Sequence, residues 1–162
     1  MTALNTALTQ KILKALDEFV METPSWGFAD TGTRFGKFFQ DAAAVDIEDK
    51  FADAGEVHRL TGCCPSVAVH VLWDFAPGGN PRDVAKLAAA HGVRIGAVNP
   101  NLFQDQIYKY GSFANPDPRV REAALRHALD SVEIAKRVGS RHVSMWMADG
   151  SNYPGQANIR AR

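Results

Sequence analysis

Six residues near the middle of the chain, Val67-Ala-Val-His-Val-Leu72, point to its architecture. A short apolar run of this kind suits a strand buried on both faces of a parallel sheet. Upstream, Asp46 opens a helix in which Ile47, Phe51, Ala54, Val57 and Leu60 share one face, and Gly62 follows its end. Downstream, Asn80-Pro81 is a helix start, a capping side chain followed by Pro in the first turn. Val84, Leu87, Ala88 and His91 line one face of that helix, and Gly92 closes it. Val93 to Val98 reads as the next strand. A long loop, Asn99 to Pro116, leads to Asp117-Pro118, which caps a helix to Val138 that Gly139 stops. In that helix Val120, Ala124, Ala128, Ser131, Ala135 and Val138 form one row, with Leu125, Leu129 and Val132 beside it. Arg141 to Trp146 is a further strand, and a Gly/Ser/Asn loop follows.

On the N-terminal side, Leu4 to Asp17 has a helical apolar period through Leu8, Ile12, Ala15 and Leu16. Phe19 to Thr23 is a short extended segment that Pro24 terminates, and Ser25 to Phe35 is a Gly- and Thr-rich loop with embedded aromatics. Strand, loop and helix repeat, which means an α/β parallel sheet. Two architectures compete, an open doubly wound sheet and a closed barrel. No Gly-rich phosphate fingerprint follows the first strand, and only Asn158 to Arg162 stand where a helix should cover the fourth. Both favour the barrel. The expectation is the first half, about four βα units, of a single (β/α)8 TIM-barrel domain over residues 1–162, a fold that takes about 250 residues when whole.

Charge and composition narrow the partners. Lys plus Arg is 18 and Asp plus Glu is 18, so no excess charge holds nucleic acid or an anionic membrane. The apolar fraction, 46%, is ordinary for a globular protein, and no run reaches the roughly 18 to 20 apolar residues of a membrane span. The polar start, Met1 to Gln10, is not a signal peptide, and the only cysteines are the neighbours Cys63 and Cys64, so the expected location is the cytoplasm. A packing or neutral role suits that pair, which has no adjacent base.

The chemistry-bearing residues gather at the C-terminal ends of the strands. Ser25 and Trp26 follow the first; His70, Trp73 and Asp74 the second; Asn99 and Asn101 the third; Trp146, Asp149 and Asn152 the fourth. That rim is where α/β proteins build their sites. All three tryptophans lie there. A flat apolar ring beside hydrogen-bonding groups suits a sugar, although a tryptophan at a strand end also serves simply to pack under a loop. His70 has two readings: a core histidine satisfied by one backbone bond, or a proton shuttle to a sugar's ring oxygen near pH 7. Asp74, four residues on, fixes the imidazole tautomer only if the loop turns back. The histidines and acidic residues show no convergent spacing for an octahedral cation site, so none is assigned to metal.

Five motifs in order carry a resemblance: Thr23-Pro-Ser-Trp-Gly27, Gly32-Thr-Arg-Phe35, Val67 to Asp74, Tyr108-Lys-Tyr-Gly-Ser112 and Trp146 to Gln156. Together they resemble the broad-specificity L-rhamnose isomerase family, a branch of the xylose-isomerase-like barrels. The resemblance implies reversible aldose–ketose interconversion, such as L-rhamnose to L-rhamnulose. It implies two divalent cations, usually manganese, that hold the sugar oxygens and polarise the carbonyl. It places Trp26, Trp73 and Trp146 in the sugar pocket, makes His70 the candidate for ring opening, and gives Phe35 to a neighbouring subunit's pocket, hence a homo-oligomer. The family's metal ligands and acid/base carboxylates come from later strands. The 162 residues alone are therefore expected to be inactive and poorly folded, with bare strand edges and an exposed apolar interior. A non-catalytic sugar-binding module, a decayed fragment, and another enzyme on the same barrel such as an epimerase remain as the competing readings.

Overall fold

A computed structural model describes residues 6–33, 36–147, 149 and 160. Three strands form a parallel sheet: β1 (Glu22–Pro24), then, after an antiparallel β2 (Thr31–Thr33) and β3 (Gly36–Phe38), the central β4 (Ser66–His70) and β5 (Arg94–Asn99). The order in the sheet is β1-β4-β5, the same as along the chain, and both pairings are parallel. Arg141 to Trp146 lies beside β5 as expected but is not a continuous strand. It touches the sheet at the Val98–Val143 bridge, where the Val98 N–H donates to the His142 carbonyl and the Ser144 N–H to the Val98 carbonyl, each at 3.0 Å.

The helices stop and start at the residues whose chemistry predicts it. In α2 (Ile47–Thr61) Asp46 accepts the Asp49 N–H at 3.0 Å, and in α4 (Pro81–Ala90) Asn80 accepts from the Arg82 N–H at 3.2 Å. In α5 (Pro118–Val138) Asp117 accepts from the Arg119 N–H at 2.9 Å. Each cap satisfies an amide that the first turn leaves without a partner. Gly62 and Gly139 end α2 and α5 in the left-handed region, at φ 72° and 75°.

Val67, Val69, Ile95 and Val98 turn to the helices, where Phe51, Ala54, Ala88 and Ala135 close the core on them. Burying a side chain the size of Phe51 contributes about 2 to 3 kcal/mol. Since side chains alternate along a strand, Ser66, Ala68 and His70 stand on the opposite face. That face leads to the rim.

Some expectations give way. β1 does end at Pro24, which an edge strand tolerates because no ladder bond needs its missing N–H, but it starts at Glu22 and not at Phe19. Ser25 to Phe35 is not simply a loop: Ser25–Gly27 is a 3-10 turn, and Thr31–Thr33 enters the β2–β3 hairpin. The predicted apolar row of α1 (Thr6–Asp17) covers nothing, for Leu8, Ile12 and Leu16 are all about half exposed or more, as are Leu125 and Leu129 on α5. Leu60 at the end of α2 is likewise exposed. No described helix is long and apolar enough to cross a membrane.

Candidate functional site at the C-terminal rim of the sheet

β4 does not run on to Leu72. At Val71 the chain winds into one helical turn, α3 (Val71–Asp74), which brings the Asp74 carboxylate back beneath the strand end. There it accepts from three donors. The Ser25 hydroxyl donates to Oδ2 at 2.5 Å, the His70 backbone N–H to Oδ2 at 2.7 Å, and the Lys50 ammonium to Oδ1 at 2.8 Å. Asp74 has a side chain fully shielded from solvent, and that of Lys50 is 8% exposed. One carboxylate thus ties the 3-10 turn bearing Trp26, the end of β4 bearing His70, the turn bearing Trp73, and helix α2. The chain does turn back at Asp74, but the acceptor meets the backbone of His70, not its ring. It does not fix the imidazole tautomer.

Three of the predicted site residues come together on this scaffold. The rings of His70 and Trp73 stack with centroids 3.6 Å apart and planes 13° from parallel. Trp26 stands edge-on to both, 6.4 Å from His70 and 6.1 Å from Trp73. His70 is buried, yet among the described residues neither Nδ1 nor Nε2 has a hydrogen-bond partner. A core histidine satisfied by a backbone bond is therefore not what stands here. Trp26 and Trp73 are 37% and 42% exposed, so the cluster is open on its outer side.

Burial is the main cause that holds the His70 pKa down, to about 4; Asp74 opposes it, and His127 and Lys50 reinforce it weakly. The ring is neutral at pH 7 and not poised to ionise there. A neutral imidazole offers one N–H donor and one bare acceptor nitrogen.

Trp146 does not join the cluster. It is 68% exposed and stacks on Phe103 at 5.5 Å. Phe35 and Asn152 lie outside the described residues. Asp149 organises its own corner, accepting from the Ser112 hydroxyl at 2.5 Å, the Ser112 N–H at 2.8 Å and the Ala114 N–H at 2.7 Å. Burial raises the Asp149 pKa, but the hydrogen bonds from Ser112, Ala114 and Phe113 together outweigh it and leave the carboxyl below its usual value. Asn101 donates its backbone N–H to Nε2 of His127 at 2.9 Å, which occupies that histidine on the helix side.

Lys50 escaped the reading of the sequence. A lysine is seldom buried, and the only sign was its place beside Phe51 on the inner side of α2. Among the described residues no three His, Cys, Asp or Glu side chains gather so as to hold a metal ion. These residues do not fit a cation site, and no step is routed through one.

No family model matches the chain. It is 36% identical over 149 residues to a protein named probable sugar isomerase of Mesorhizobium japonicum, covering 89% of this chain and 34% of that protein. With a probable sugar isomerase of Rhizobium meliloti the identity is 37% over 141 residues, 84% of this chain and 32% of the relative. A xylose isomerase of Thermus thermophilus is 32% identical over 81 residues, 45% of this chain and 21% of that enzyme. The chain spans about a third of the length of the curated relatives it matches, and over most of its own length it is similar to proteins named as sugar isomerases.

Proposed function

We propose that this chain is part of an aldose–ketose isomerase acting on L-rhamnose and related aldoses, and that it forms the first half of a (β/α)8 barrel. The observation that carries the reading is the His70 imidazole: buried, without a partner at either nitrogen among the described residues, and walled by Trp73 and Trp26 at the end of a central parallel strand. Strand order that follows chain order without reversal supports the barrel over a doubly wound sheet.

On this reading the sugar's C–H face lies against Trp73 and Trp26, with Trp146 and a neighbouring subunit's Phe35 completing the pocket of a homo-oligomer. Ring opening requires the anomeric hydroxyl to lose a proton and the ring oxygen to gain one. A neutral imidazole matches both needs, since one nitrogen accepts and the other donates, and the residue stays uncharged throughout. The divalent cations, manganese by resemblance, would polarise the carbonyl of the open sugar, held by residues other than those described here.

The low pKa of His70 favours a second reading, in which the imidazole only binds a sugar and transfers no proton. One assay separates them: conversion of L-rhamnose to its ketose by the complete protein supplied with manganese. Turnover that falls at least about a hundredfold in His70→Ala supports proton transfer, on the scale of general acid–base catalysis. Saturable binding without turnover supports the module, and neither binding nor turnover would sink both.

A further inference from the structure

β5 carries one residue more than its partner strand. Val67 pairs with Ile95 but Val69 pairs with Val98, so Gly96 and Ala97 together stand opposite Ala68. Such a bulge turns the pleat over beyond it. Ile95 and Val98, three residues apart, both join the core under the helices, which strict alternation forbids. Past the bulge Asn99 pairs with His70, on the same face as the imidazole. Without the extra residue Val98 would take that place and Asn99 would point toward the helices.

Two residues hold the bulge. Glu22, which pairs with Ser66 on β4, reaches across that strand, and its carboxylate oxygens accept the Ala97 N–H at 3.0 and 3.1 Å. The extra residue of a bulge loses its ladder partner, and here a side chain supplies the acceptor. A Cβ on Gly96 would overlap that carboxylate, so the close approach requires glycine. The Asn99 amide is in turn aimed by its own bonds, Nδ2 donating to the Val69 carbonyl at 3.0 Å and to that of Ala97 at 3.5 Å. Its Oδ1 has no donor among the described residues.

We infer that Asn99 binds the substrate: its Oδ1 accepts a hydrogen bond from a hydroxyl of an aldose seated beside His70. Glu22 is the positioning residue that keeps β5 bulged and the amide on that face. The inference rests on the sugar-isomerase reading of the same site.

Steady-state kinetics of the complete protein test it, with L-rhamnose and a panel of aldoses each lacking one further hydroxyl. Asn99→Ala raises KM for L-rhamnose roughly tenfold and leaves kcat within about twofold, because a contact made equally in ground and transition states is lost. For the one analogue that lacks the recognised hydroxyl, wild type and Asn99→Ala differ by less than about twofold, since the contact is already missing. Glu22→Ala reproduces the KM rise, and Glu22→Ala with Asn99→Ala is no worse than either alone, because both act through one amide. Glu22→Gln, which keeps an acceptor oxygen, falls between. Should Glu22→Ala fail to fold, the analogue panel on Asn99→Ala decides the question by itself. An unchanged KM for Asn99→Ala, or the same factor lost against every analogue, overturns the inference and leaves the isomerase reading standing. A wild type that neither binds nor converts any aldose overturns both.

Discussion

The two ends of the rim are built differently. At the β1–β4 end, Trp73 stacks on His70 and Trp26 stands edge-on to both, and one buried carboxylate with three donors ties the turns that carry them. At the other end Trp146 hangs from a segment joined to the sheet by isolated bridges, with Phe103 as its stacking partner and two thirds of its surface open. Equivalent positions after successive strands thus do not make equivalent residues. An aromatic ring becomes part of a fixed pocket wall where a buried polar network holds the turn that carries it, and the difference should appear directly in energetics.

The largest effect belongs to the carboxylate. Asp74→Ala strands the Lys50 ammonium in a buried place with no counter-charge, and is expected to lower stability by about 3 to 5 kcal/mol in denaturant titration. A loss under about 1 kcal/mol would mean the network holds no more than a surface pair does.

Next comes His70. The unfolded imidazole takes up a proton near its ordinary 6.5, whereas the folded one refuses it until about pH 4. Stability contributed by the neutral ring is present in full above that window and is lost as pH falls through it, by at most about 3 kcal/mol. His127, also held low by burial, adds in the same direction. Denaturant titrations between pH 7 and 4 should show the decline, and it should be shallower in His70→Gln.

Smaller again is Trp73→Ala, which removes the ring stacked on His70 and is expected to cost about 2 kcal/mol and to raise the His70 pKa as water reaches the imidazole. Trp146→Ala should be the mildest, under about 1 kcal/mol, the worth of one exposed stack. If the two tryptophan variants proved equal, the contrast between the two ends of the rim would fail.

The caps were legible because each is a local matter: Asp46, Asn80 and Asp117 bond amides two or three residues away, and Gly62 and Gly139 end helices by backbone freedom alone. The positions of β4 and β5 were legible for the same reason, as short apolar runs between such signals, whereas the β2–β3 hairpin was read as loop and Arg141 to Trp146 as a full strand. Three further features were hidden. The helical turn at Val71 hides in a run that reads as strand to Leu72. The burial of Lys50 depends on a partner 24 residues away. The β5 bulge depends on Glu22, 75 residues from Ala97, although Gly96 within a strand and the three-residue gap from Ile95 to Val98 were its local marks. The exposed apolar row of α1 shows the limit from the other side: periodicity gives the helix its face but not the surface that covers it.

Whether His70 is a buried, neutral, sugar-binding imidazole is read most directly by an NMR titration of its C–H signals in the complete protein, first with pH and then with L-rhamnose at pH 7. The expected result is an imidazole that titrates near pH 4 and whose signals shift saturably as the sugar binds. Signals that titrate near 6.5 and stay unmoved by any concentration of aldose would contradict it.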